Sequence, residues 1–136
     1  MRYLAIDYGL KRTGLAICDS AETIASPYRV LEGKERLCEQ IARIVQAESV
    51  EAVVVGLPLN MDDTEGPQAK AVRTFVKRLT THIQVPILLH DERLSSFSAQ
   101  EKLADVNLTA GKKRKHLDAI AAAEILRAFL DQTRRP

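Results

Sequence analysis

The chain has 136 residues, enough to bury a real core in one domain and too few for two full lobes. Hydrophobic residues make up 46% and charged residues 28%, the balance of a globular chain rather than a disordered one. With 20 Lys plus Arg against 18 Asp plus Glu the net charge is +2, which excludes a global positive field, so any basic surface has to be local.

In chain order, Tyr3 to Ile6, Thr13 to Cys18 and roughly Thr23 to Val30 read as strands. The short connections between them favour antiparallel neighbours. The period then changes: Leu37, Ile41, Ile44, Val45 and Glu48 fall on one helical face. Ala52-Val53-Val54-Val55-Gly56 has the unbroken apolar pattern of a central strand. Pro67 marks the start of a second helix with Ala69, Val72, Phe75, Val76 and Leu79 as its buried stripe. Pro86 to His90 reads as a further short buried strand, Ser95 to Ala104 as a short helix, and Asp105 to Gly111 as an irregular link. Roughly Lys113 to Leu130 forms the last helix.

This order predicts one domain over 1–136, a mixed five-stranded α/β sheet with helices on both faces. Its first three strands form an antiparallel meander, and right-handed crossovers set the later strands parallel to the first. The ends of the first, fourth and fifth strands then open on one edge, where open α/β sheets bind ligands.

Three acidic sites fall near that edge. Asp7 ends the first strand. Asp91 and Glu92 follow the fifth, and either can supply an oxygen ligand. Asp118 shares a helical face with Ala122, Ile125 and Phe129, and an ionised acid against a core needs a compensating charge. Together they offer the hard oxygens that Mg²⁺ or Mn²⁺ takes, and such ions hydrolyse phosphodiesters without a protein nucleophile. Lys112, Lys113, Arg114, Lys115 and His116 precede Asp118 and form the local basic patch, which Lys11, Arg12, Arg93, Arg134 and Arg135 extend towards nucleic-acid phosphates.

Other chemistries are poorly provided for. His82, His90 and His116 lack metal-ligand spacing, Gly56-Leu57-Pro58-Leu59-Asn60 lacks the Lys-Ser/Thr of a P-loop, and Cys18 and Cys38 read as reduced packing residues. The apolar start is too short for a signal peptide and no run reaches about 18 apolar residues, so a cytoplasmic protein without membrane contact is expected.

Four blocks in order carry a family resemblance: Ala5-Ile6-Asp7-Tyr8-Gly9 with Lys11, Arg12, Thr13 and Gly14; Val54 to Asp62; His90-Asp91-Glu92-Arg93-Leu94-Ser95; and Lys115 to Ala122. Across essentially its whole length the chain resembles the YqgF-type pre-16S rRNA nucleases, also described as Holliday-junction resolvases. The resemblance implies a ribonuclease-H-like fold and a bacterial cytoplasmic hydrolase that matures the 5′ end of 16S rRNA or cuts branched DNA. It places acids at Asp7, at Glu92 or its neighbour Asp91, and at Asp118. Resolvases and ribonuclease H often carry another acid after the fourth strand, where this chain has Gly56-Leu57-Pro58. Two other functions compete: a non-catalytic nucleic-acid-binding module using Lys112 to Lys115, and an ATPase related to actin and sugar kinases, which needs two such lobes. Symmetric cutting of a four-way junction would call for a homodimer.

Overall fold

The computed structural model describes residues 1–94 and 110–134, with residues 94, 110–116 and 134 as backbone only. Five strands form one sheet in the order β3-β2-β1-β4-β5: β1 (Tyr3–Tyr8), β2 (Arg12–Cys18), β3 (Ala25–Glu32), β4 (Ala52–Leu57) and β5 (Ile87–Asp91). β1, β2 and β3 are antiparallel neighbours, while β4 and β5 run parallel to β1. Among the described residues three α-helices accompany them, α1 (Leu37–Ala47), α2 (Pro67–Thr80) and α3 (Ala110–Arg134), with a 3-10 turn at Glu92–Leu94. The helix expected over Ser95 to Ala104 lies outside the described residues.

Because side chains alternate along a strand, the sheet has two chemically different faces. Leu4, Ile6, Leu15, Val53, Val55 and Leu57 face α1 and α2, where they pack with Ile41, Val72, Phe75 and Leu79. Each such side chain contributes about 1.5–3 kcal/mol by leaving water. Ala5, Ala16, Cys18 and Val54 face the other way, against Ala122, Ile125, Leu126 and Leu130 of α3. Helices therefore cover both faces, as the pattern of elements predicts.

The last helix and the fifth strand differ most from expectation. Ala110 and Gly111, read as part of an irregular link, already belong to α3, and the helix continues past Leu130 to Arg134, where Thr133 returns its hydroxyl to the Leu130 carbonyl. β5 is an edge strand rather than a buried one, with Leu88 39% and Leu89 40% exposed. A short apolar run looks the same at the centre of a sheet and at its edge, because pairing, not composition, decides which it becomes. At the opposite edge, β3 takes up a bulge against Leu15 and Ala16 and seats Pro27 there, where no ladder donor is missed.

Candidate active site

Asp7 lies next to the end of β1, opposite Gly14 of β2, and shares the α3 face with Ala5. Glu92 opens the 3-10 turn after β5, and its carboxyl group hydrogen-bonds that of Asp7. Burial, the hydrogen bond to Asp7 and the Asp7 charge push the Glu92 carboxyl up to about 8. Asp7 is raised too, by burial and by the nearby charge of Asp118, although the Glu92 hydrogen bond opposes the shift. Two carboxyl groups this close cannot both be ionised in a partly desolvated site, so near neutral pH the pair keeps a proton between them.

Asp118 stands on α3, near enough for its charge to act on Asp7, and the closeness of that helix to the sheet has an identifiable cause. A Cβ built on Gly14 would lie 1.9 Å from the Asp118 carbonyl oxygen, so only a glycine lets the helix backbone rest directly on β2. Gly56 does the same for the third acid, since a Cβ there would meet Glu92 Oε1 at 2.6 Å and Ile125 Cδ1 at 2.7 Å. Gly14 lies inside the strand expected over Thr13 to Cys18, and a glycine inside a strand pattern is the sequence signal of such a close approach.

The side chain of Asp118 is 30% exposed and accepts a hydrogen bond from Arg12 Nε at 2.9 Å. Arg12, expected to extend a phosphate-binding patch, is thus also the counter-charge of an acid 106 residues away. No local sequence pattern announces that pair.

Strand parity separates Asp91 from Glu92. Asp91 pairs with Leu57, whose side chain faces α1 and α2, whereas His90 pairs with Gly56 and contacts Phe129 of α3. The Asp91 carboxylate accepts from Arg93 Nε and Nη2 at 3.0 and 2.7 Å, and this contact holds it below the usual carboxylate range. Arg93 in turn donates to the Asn60 carbonyl at 3.0 Å and pairs with Asp63 at 2.8 Å. Arg93, expected to extend the basic patch, also uses its donors to pin the loop after β4 to the end of β5.

Lys11 is exposed in the turn beside Arg12. Lys112, Lys113, Arg114 and Lys115 lie in the first turns of α3, and their side chains are outside the described residues. His90 is 4% exposed and its pKa is lowered by burial, which agrees with a packing role rather than that of a base.

Among the described residues, no three His, Cys, Asp or Glu side chains close around a single point. The donor chemistry nevertheless fits a hard divalent cation: Asp7, Glu92 and Asp118 offer only oxygens. The positive charge they require is supplied by a shared proton and by Arg12.

The comparisons agree with this architecture. A protein of Maridesulfovibrio salexigens named "Putative pre-16S rRNA nuclease" is 39% identical over 132 residues, covering 96% of this chain and 98% of its own. One of Anaeromyxobacter sp. (strain K) with the same name is 43% identical over 136 residues, covering 97% and 98%. Among solved structures, T. thermophilus RuvC in complex with Holliday junction substrate superposes with a TM-score of 0.63 at 17% identity, covering 98% of this chain and 96% of that one. Fowlpox virus resolvase in complex with Holliday junction DNA superposes with a TM-score of 0.61 at 12% identity, over 99% and 100%. These likenesses identify the fold as ribonuclease-H-like. A family model described as "RuvX: Holliday junction resolvase" matches residues 1–132, and the chain belongs to that family.

Proposed function

We propose that the chain is a divalent-metal-dependent endonuclease that hydrolyses phosphodiester bonds in structured nucleic acid, acting in ribosome biogenesis at the 5′ end of pre-16S rRNA. The observation that carries this reading is the hydrogen-bonded, partly desolvated Asp7–Glu92 carboxyl pair, with the charge of Asp118 acting on Asp7 from a helix packed directly on β2 at Gly14. The names of the relatives support the substrate.

Asp7, Glu92 and Asp118 would hold Mg²⁺ or Mn²⁺, which when bound supplies an activated water and stabilises the leaving oxygen. The chain's own residues prepare the edge. Glu92 stores a proton near neutral pH, and releasing it turns the carboxyl into a second anionic acceptor beside Asp7. Arg12 steadies Asp118 and, being 27% exposed, presents positive charge to an incoming phosphate. Lys11, Lys112, Lys113, Arg114 and Lys115 are assigned to phosphate contacts that position substrate without reading sequence. Asp91 and Arg93 are assigned to holding the loop at Asn60. No helix among the described residues is long and apolar enough to cross a membrane. Action on pre-rRNA would take place in the cytoplasm.

A second reading, cutting of branched DNA by a pair of copies, is favoured by the description of the family. Parallel assays with a labelled 5′ pre-16S fragment and a four-way DNA junction in Mg²⁺ decide between them. Asp7→Asn is expected to abolish cleavage while binding persists, and wild-type cutting by that variant removes the assignment. Preferential cutting of the junction moves the substrate to branched DNA.

A further inference from the structure

On the face of the sheet away from the acids, α1 and α2 leave a groove between them. It consists of two adjoining hollows of about 230 and 430 Å³ that share Lys34, Leu37, Cys38 and Arg78. Lys34, Arg36, Lys77 and Arg78 line it against a single acid, Glu39, in a chain whose total charge is only +2. All four cations are exposed. Among the described residues, none of them forms an ion pair, whereas Arg2, Arg12, Arg73, Arg93 and Arg127 all do.

The helix dipoles account for half of this arrangement. Lys77 and Arg78 occupy the last turn of α2, where the carbonyl end of a helix favours positive charge. Lys34 and Arg36 stand just before the first turn of α1, where the same dipole disfavours them, and Arg36 does so from a left-handed backbone at φ 58°. Neither the α1 dipole nor an ion pair among the described residues accounts for the Arg36 cation, whose exposed charge is open to an anion from outside the chain.

The groove also begins at the catalytic edge. Tyr8, the residue after Asp7, turns to the opposite face and stacks on Phe75 with ring centres 4.4 Å apart. Lys34 Nζ lies 3.9 Å above the centre of the Tyr8 ring and donates to the Gly9 carbonyl at 3.2 Å. Strand alternation thus sends one residue to the acids and the next to the mouth of a cationic channel.

We infer that the α1–α2 groove is a second binding site for the phosphodiester backbone, holding the nucleic acid that flanks the cleaved bond after it crosses the sheet edge at Tyr8 and Lys34. This rests on the nuclease reading for its placement, while its binding chemistry is independent of cleavage. Contacts of this kind are electrostatic and act through counterion release.

The test is fluorescence anisotropy in EDTA with two probes, a labelled RNA stem carrying single-stranded tails and a four-way DNA junction with long arms. The wild type is compared with the Arg36→Gln/Lys77→Gln/Arg78→Gln variant and with a control, Arg29→Gln/Lys70→Gln/Arg127→Gln, that removes as much charge elsewhere. Circular dichroism establishes that each is folded. The groove variant is expected to bind at least one probe about 10-fold more weakly, and the plot of log affinity against log salt should be shallower by roughly 2, as expected when two or three phosphate contacts are lost. The control should stay within about twofold of wild type. An equal loss in the control, an unchanged salt slope in the groove variant, or no binding by the wild type overturns the inference. Cleavage separates the two claims: if Asp7→Asn cuts like wild type while the groove variant still binds weakly, the nuclease reading falls and the groove stands.

Discussion

The two faces of the sheet solve different problems. Towards α1 and α2 the strands present Leu4, Ile6, Leu15, Val53 and Val55, large side chains that hold the helices at a distance set by their own bulk. Towards α3 they present Ala5, Gly14, Ala16 and Gly56, and the helix comes down until its backbone touches β2. The first face gains its stability from apolar volume. The second gives up volume for proximity, and proximity brings Asp118 of α3 near enough for its charge to act on Asp7 of β1. In this fold the face proposed as functional is marked less by its polar residues than by the small ones that make room for them.

Adjacent residues break that comparison most sharply, because Leu15 and Gly14 point to opposite faces. Leu15→Ala leaves a cavity under α1 and α2 and is expected to cost about 2–5 kcal/mol in urea unfolding. The folded fraction should cleave as wild type does. Gly14→Ala adds one carbon where the Asp118 carbonyl already sits, and is expected to cost about 1–3 kcal/mol by forcing α3 away. Despite the smaller stability loss it should lose cleavage, because Asp118 moves with the helix. If Gly14→Ala remains as stable and active as wild type, the close approach does not govern the site.

The sequence made the scaffold and two of the three acids proposed for the site legible. Alternating strands, an amphipathic α1 and the unbroken Ala52 to Gly56 run carry strong periodic signals, and Asp7 and Asp118 occupy recognisable ends of such runs. Asp91 and Glu92 stayed undivided because their faces depend on the register Leu57 to Asp91, which is set by pairing between distant strands. The Arg12–Asp118 pair and the α1–α2 groove were hidden for the same reason. Each joins residues far apart in the chain whose local patterns say only that they are charged and near a turn or a helix end.

The acids themselves offer a subtler contrast, read as pH dependence. Glu92 holds its proton up to about pH 8 in the folded chain, against an ordinary value of 4.5, so folding favours the protonated form. The stability this gives is complete below pH 4.5, declines as pH rises towards 8, and falls no further above that. Glu92→Gln should therefore flatten the decline in melting temperature between pH 5 and pH 8, an effect on the order of a few kcal/mol at most. Leu15→Ala should lower the whole curve without flattening it. Added Mg²⁺ should raise the wild-type melting temperature more at pH 8 than at pH 5, because the ion takes the charge that the proton leaves. If Glu92→Gln keeps the wild-type slope, the proton is not held there.

Asp91 and Glu92 are neighbours with opposite assignments, and Asp91→Asn is expected to have the smallest effect. The carboxylate faces the α1–α2 side and is bound by Arg93, which retains Asp63 and the Asn60 carbonyl when Asp91 is neutralised. Both side chains of the pair are 26% exposed, so the interaction is partly screened and its loss should cost about 1 kcal/mol or less. Because Arg93 lowers the pKa of Asp91, that contribution is present at neutral pH and disappears only as the solution is acidified below the ordinary value of 3.8. Cleavage by Asp91→Asn should stay within a few-fold of wild type at neutral pH, while Glu92→Gln is strongly impaired. Equal impairment of the two variants would mean that the end of β5 acts as one acidic unit, and that strand parity does not separate the residue facing the other acids from the one anchoring the loop.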